Sequence, residues 1–256
     1  MSFINKVVLI TGAGSGIGEA ISIQFSKLSA RLSLIDIDTE NFKKTAEKCE
    51  KISKVKVLVT VADLRNDEHV KNAVQNTKQE YGRIDVVVNC AGIYLPARIL
   101  DANLIDIFDN VMSSNLRSVV SMTNSVASTL AESKGCIINI SSASSVFGAI
   151  ASVPYSVALG SLNHFTSSAA FDLASQGIRV NSILPGVTKT NILTNAGIAQ
   201  EKTNALWNNI YSPLKRNVKT EEIAELAAFL ASDKAKGMTG CSYPIDAGLA
   251  LTFYDA

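Results

Sequence analysis

A single-domain, doubly wound parallel sheet of about seven strands, with helices on both faces, is the fold this sequence predicts. Three observations predict it. Short runs that are almost wholly apolar, such as V-V-L-I, L-S-L-I and V-V-V, alternate with longer segments of helical period. These runs lack the in–out alternation of a half-solvated strand, so each reads as a strand covered on both faces. The first run ends in T-G-A-G-S-G-I-G, residues 11 to 18, a glycine-rich turn where a strand passes into a helix. Strict β–α alternation implies a parallel sheet with right-handed crossovers.

In order, strands are expected over 6–11, 31–36, 55–61, 84–89, 135–141 and 178–184, with a short last one over 241–245. Helices are expected over 16–28, 40–51, 67–81, 104–111, 115–132, 154–175 and 221–231. No linker, low-complexity block or repeat interrupts the series. At 256 residues, one domain over 1–256 suits this series. Ligands of such sheets bind beyond the carboxyl ends of the strands, which directs attention to the residues after Thr11, Asp36, Asn89, Ser141 and Leu184.

Composition narrows the classes. Hydrophobic residues make up 47% of the chain, which excludes a disordered protein. Lys and Arg number 24 against 23 Asp and Glu, so neither nucleic acid nor an anionic membrane is expected as main partner. No apolar stretch reaches bilayer length. The run at 7–10 is brief and enters the glycine turn, so it reads as a strand rather than a leader. Cys49, Cys90, Cys136 and Cys241 share no metal-ligand spacing and read as small buried residues in a reducing compartment. A cytoplasmic protein without a metal site is expected.

The glycine turn carries the first chemical signal. Gly12 permits the tight turn, Gly14 and Gly16 let the backbone approach a pyrophosphate, and Gly18 lets the helix pack on the sheet. Amides at the start of the Gly16 helix then face the phosphates. Asp36 closes the second strand, where a carboxylate accepts both hydroxyls of an adenosine ribose and repels a 2′-phosphate. The glycine turn holds no Lys or Arg. Together these favour NAD(H) over NADP(H). The alternative for Asp36 is a turn cap shared with Asp38.

From Lys6 to about Gly248 the sequence resembles the short-chain dehydrogenase/reductase family. Besides the glycine turn, which contains Ser15 and Ile17, the resemblance rests on Ala62-Asp63-Leu64 and on Asn89-Cys90-Ala91-Gly92. It also includes Asn115, Ser142 in N-I-S-S, Tyr155, and Pro185-Gly186 followed by Thr188 and Thr190. It implies a nicotinamide cofactor held by Gly12, Gly14, Ser15, Gly16, Ile17, Gly18, Asp36, Asp63 and Leu64. Asn89, Ala91, Gly92, Tyr155, Pro185, Gly186, Thr188 and Thr190 complete the implied set. It also implies catalytic roles for Ser142, which holds the substrate oxygen, for Tyr155, which exchanges the proton, and for Asn115. Family members usually form homotetramers, so a homo-oligomer, tetramer or dimer, is implied.

One position departs from the family. Its tyrosine motif is Y-x-x-x-K, and here Tyr155 is followed by Leu159. The two lie one helical turn apart on one face. The lysine lowers the tyrosine pKa and holds the nicotinamide ribose, and leucine does neither. An unassisted phenol titrates near pH ~10, and general-base help is worth about 10²–10⁴ in rate. Oxidation needs tyrosinate, whereas reduction needs only a neutral phenol, so residual activity should favour reduction. His164 points to the far side of the helix, Asn163 lies ~12 Å along it, and Lys189 sits in a loop, so none replaces the lysine readily.

Residues 188–212 are expected to cover the substrate. Ile192, Leu193, Ile198, Leu206, Trp207, Ile210 and Tyr211, with Tyr94, Leu95, Val146 and Phe147, would line an apolar pocket for a small lipophilic alcohol or ketone. They would equally serve a lid or subunit contact. Two functions stay open: an impaired NAD(H)-dependent oxidoreductase, and a non-catalytic dinucleotide-binding or protein-interaction descendant.

Overall fold

The computed structural model describes residues 1–146, 152–209 and 212–253. Seven parallel strands form one sheet in the order β3-β2-β1-β4-β5-β6-β7. They are β1 Val7–Thr11, β2 Arg31–Asp36, β3 Leu58–Val61, β4 Val86–Asn89, β5 Cys136–Ile140, β6 Arg179–Pro185 and β7 Ser242–Ile245. The helices are α1 Gly16–Lys27, α2 Thr39–Ser53, α3 Asp67–Tyr81, α4 Leu104–Met112, α5 Ser118–Ser133, α6 Val153–Leu173, α7 Ile192–Asn195, α8 Gln200–Asn208 and α9 Thr220–Ala231.

The apolar runs are explained by a core on each face of the sheet. Val8, Ile10, Leu34, Val88 and Ile138 pack with Ile21, Phe25, Ile223 and Ala227 of α1 and α9. Their strand neighbours Leu9, Ile35, Val87 and Ile137 turn the other way, onto Val70, Met122 and Val126 of α3 and α5. Successive strand residues face opposite layers, so every position in a central strand must be apolar. Edge strand β3 alternates half-buried and exposed residues, as expected where one face is left to solvent.

The chain departs from the sequence expectation in three places. The third strand begins at Leu58 rather than at 55, because α2 runs to Ser53 and Lys54 turns left-handed at φ +61°. The two central helices predicted around 104–132 are one continuous rod: a π-helical turn, Ser113–Arg117, joins α4 to α5. The covering segment contains two short helices, α7 and α8. Cys49 and Cys136 are buried as expected, Cys90 is half-buried, and Cys241 is exposed. Phe147, Ile210 and Tyr211 lie outside the described residues. Among the described residues no helix is long and apolar enough to cross a membrane.

At the amino end of the sheet, the buried Asp85 ties three groups together. Its carboxylate accepts from the Val7 amide at 2.9 Å, from Lys6 Nζ at 2.9 Å and from Arg83. Burial pushes its pKa up, but the Arg83, Val7 and Lys6 bonds outweigh that and hold it below the usual carboxylate value. A depressed folded pKa contributes stability at pH values above the unfolded pKa of about 4. That contribution disappears as pH falls through the lower folded value. We therefore expect Asp85→Asn to destabilise the protein by about 2–4 kcal/mol at pH 7, read as a shift in urea midpoint. The gap from wild type should narrow on acidification below pH about 4.

Candidate active site

Strand order reverses between β1 and β4: the chain leaves β1 toward β2 and β3, then crosses back to β4. The loops beyond these two strands part there and open a cleft of ≈ 540 Å³. Thr11, the last residue of β1, holds the two banks in register. Its hydroxyl oxygen accepts from the amides of Cys90 and Ala91 at 3.0 and 3.1 Å. A Cβ at Gly12, where φ is +66°, would come within 2.8 Å of Ala91 backbone atoms, so no larger residue fits this crossing. A Cβ at Gly18 would sit 2.0 Å from the Gly12 carbonyl oxygen, which sets how closely α1 meets the turn. Ser15 caps α1 in extended geometry without a side-chain hydrogen bond. The first amides of the helix are thus left without a capping side chain at the cleft, the arrangement that receives an anion.

Asp36 stands at the end of β2 and braces the glycine turn. One carboxylate oxygen accepts from Gly14 N at 2.7 Å and the other from Asp38 N at 3.0 Å. Asp36 thus closes a turn with Asp38, and its carboxylate also fronts the cleft with lone pairs to spare. Farther out, Arg65 grips the Asp63 carboxylate through Nε at 2.9 Å and Nη2 at 2.7 Å. The Arg65 bonds hold the Asp63 pKa down against partial burial. His69 Nδ1 accepts from the Asp63 amide at 3.2 Å. Leu64, Ala62 and Ile37 supply apolar surface beside this pair.

The opposite end of the cleft is built on α6, whose start is set by Pro154 in its first turn. Tyr155 and Leu159 both wall the cleft. Leu159 is 5% exposed and packs with Val119, Leu162, Leu116, Phe165 and Tyr155 itself. The Tyr155 ring also meets Tyr94 edge-on, centroids 5.2 Å apart. This apolar setting pushes the Tyr155 phenol up to about 12, and the nearby Ser142 hydroxyl only partly offsets it. The phenol at neutral pH thus favours its protonated form. Ser142 is itself oriented by Ser144, whose amide donates to it at 3.2 Å and whose hydroxyl lies at 3.0 Å.

Among the described residues, no Lys or Arg side chain lines the Tyr155 end of the cleft. Among the described residues lining the cleft, Arg65 is the one cationic side chain, and it belongs to the Asp63 end. Lys189 does not line the cleft, and its Nζ lies 6.0 Å from the Trp207 ring centroid. His164 is exposed on the surface of α6, and Asn163 donates to Ser145 Oγ at 2.6 Å. Asn115, in the π turn, has both arms committed: Oδ1 accepts from Ile93 N and Nδ2 donates to Ile93 O, each at 2.8 Å.

Most of the residues singled out from the sequence meet at this cleft: Gly12, Gly14, Ser15, Gly16, Ile17, Gly18, Asp36, Asp63, Leu64, Ala91, Gly92, Asn115, Tyr155 and Thr190. Asn89 and Ser142 are not among the residues that wall it. Asn89 is buried and donates to Asn139 at 2.9 Å, and Asn139 donates to Thr166, a polar brace beneath the site. Pro185, Gly186 and Thr188 also stand back from the wall: Gly186 packs against Asp246, and Thr188 donates to Gly186 O at 3.0 Å. Residues that sequence reasoning missed are Thr11 as the clamp, Arg65 on Asp63, and Asn191 and Asn195 on the covering segment.

The glycine crossing, the open helix start and the acid at the ribose corner fit a dinucleotide, and this geometry belongs to a recognised class. A family model described as Enoyl-(Acyl carrier protein) reductase matches residues 12–250. The chain belongs to the short-chain dehydrogenase/reductase family of oxidoreductases, whose members use a nicotinamide dinucleotide. It is 36% identical to a meso-2,3-butanediol dehydrogenase of Serratia marcescens, over 97% of this chain and 96% of that one. The crystal structure of a levodione reductase superposes with a TM-score of 0.91 at 31% identity, covering 97% and 99% of the two chains. A 3-ketoacyl-(acyl-carrier-protein) reductase from Brucella melitensis, solved with NADH, gives 0.87 at 29% identity, over 97% and 100%.

The electrostatics of Tyr155 are directly measurable. With ¹³Cζ-labelled tyrosine, one resonance that disappears in Tyr155→Phe should titrate at about 12. Leu159→Lys should lower that value by about 1–3 units, the effect of a neighbouring cation.

Proposed function

We propose that this chain is an NAD(H)-dependent oxidoreductase that reduces the keto group of a small lipophilic substrate, with oxidation of the alcohol strongly disfavoured. The observation that carries this reading is the Tyr155 hydroxyl group set against the apolar Leu159 cluster at the end of a cleft whose other end is suited to a dinucleotide. The dinucleotide, when bound, supplies the reducing equivalents. Gly12, Gly14 and Gly16 with the start of α1 would hold its phosphates, and Asp36 its adenosine ribose.

The protein's own work is at the carbonyl oxygen. The Ser142 and Tyr155 hydroxyls orient the oxygen, and negative charge developing there is stabilised by these donors in an apolar, water-poor corner. The Tyr155 proton then moves to the nascent alkoxide, a stronger base than tyrosinate, so the high phenol pKa does not forbid the step. The reverse reaction requires tyrosinate at the start, and Leu159 provides no charge to form it. Tyr94, Leu95, Ile192 and Ala196 border the remaining space and support an apolar substrate.

A second reading is a non-catalytic dinucleotide-binding descendant of the family. The observation that favours it is the pairing of Asn115 with the Ile93 backbone together with the apolar packing of Leu159 beside Tyr155. A homo-oligomer is supported by Val120 on α5 and by Val157 and Phe171 on α6, apolar side chains left exposed on the two central helices. This reading is tested by the sedimentation mass of the purified chain.

With NADH and a panel of ketones, the wild type should reduce at pH 7 faster than it oxidises the matching alcohols with NAD. Leu159→Lys should raise oxidation by about 10²–10⁴, the value of general-base assistance. Turnover confined to Leu159→Lys would select the second reading. Asp36→Ala should weaken NADH binding about tenfold, from the loss of one or two hydrogen bonds. It should also narrow the preference for NADH over NADPH, measured by calorimetric titration of both.

A further inference from the structure

We propose that Asn163 is a positioning residue for the reaction: through Ser145 it fixes Ser142 as a group that donates its proton. The inference rests on the reductase reading above and adds a residue to it.

Asn163 lies beyond Tyr155 on α6 and does not wall the cleft. Its side chain reaches the short helical turn Ala143–Ser145 that follows Ser142. Nδ2 donates to Ser145 Oγ at 2.6 Å. Oδ1 accepts from Ser182 Oγ at 3.4 Å, and the Ser182 and Ser242 hydroxyls pair at 2.8 Å. The carboxamide is thus braced from β6 and β7 and offers a donor to the turn.

A hydroxyl has one proton to give and two lone pairs to fill. Asn163 donates to Ser145 Oγ, which leaves the Ser145 proton for the Ser142 carbonyl, 2.5 Å away. The Ser145 amide donates to that same carbonyl at 3.0 Å. The turn closed in this way brings Ser144 back onto Ser142. The Ser144 amide donates to Ser142 Oγ at 3.2 Å and its hydroxyl at 3.0 Å. Both lone pairs of Ser142 Oγ are then filled, and its proton is what remains to offer. A carbonyl oxygen, which only accepts, needs such a partner. The Ser141 hydroxyl separately fastens the end of β5 to the Leu159 carbonyl of α6 at 3.3 Å. A change at Asn163 therefore acts on the turn and leaves that junction of sheet and helix in place.

Asn163→Asp tests this at nearly constant shape. The new carboxylate accepts and does not donate, so it draws the Ser145 proton away from the Ser142 carbonyl. With NADH at pH 7 and the ketone that the wild type reduces fastest, kcat should fall about tenfold or more, as misplaced reacting groups cost. The KM for the ketone and the NADH dissociation constant should stay within about twofold, because uniform binding is untouched. Ser145→Ala should reproduce the loss, and the double variant should be no slower than either single one, since the two residues act as a unit. Hydrogen–deuterium exchange without ligand should show the Ser144 and Ser145 amides exchanging faster in both single variants. Unchanged kcat, additive losses or unchanged exchange would each overturn the proposal and leave the reductase reading standing. A wild type that reduces no ketone would remove that reading, and the proposal with it.

Discussion

Everything at the working end of this protein depends on how closely two loops approach where β1 and β4 diverge. Thr11 ties the amides of Cys90 and Ala91 to the end of β1, and the absent side chain of Gly12 lets the backbones meet. Were the banks farther apart, the start of α1 would not face the same space as the β4 loop. Were they closer, there would be no space. The Asp36 end and the Tyr155 end of the cleft share this seam, so both inherit its geometry.

Along that cleft the chain combines two different solvents. One end is polar, with charged groups already braced by backbone amides. The other is alkyl and aromatic, and it dictates the protonation state of Tyr155. Low polarity here raises the phenol pKa, and it strengthens any hydrogen bond made in that corner.

The fold was legible in the sequence because buried parallel strands require apolar residues at every position, as in Val7–Thr11 and Val86–Asn89. The glycine turn and Asp36 were legible because their chemistry is local: a strand end, a tight turn and an acid one strand later. What escaped notice was set by partners distant in sequence. Thr11 reaches residues 79 and 80 positions away, and Asn115 meets Ile93 across 22. Asn89 carried the right motif, but its side chain points to Asn139 beneath the cleft. The π turn was invisible for another reason: helical period continues through it, so two helices were expected where one rod runs. The raised phenol is not legible in the motif, where Leu159 marks only an absent cation; in the fold Leu159 belongs to an apolar cluster with Val119 and Leu162.

Asp36 carries a liability for redesign. Its two oxygens fasten Gly14 and Asp38 while the same carboxylate fronts the cleft. On the proposed reading, exchanging this acid for a residue that welcomes a phosphorylated sugar would also unfasten the glycine turn. Such an exchange would have to install a substitute acceptor for the Gly14 amide in the same step, because cofactor choice and scaffold would share one functional group.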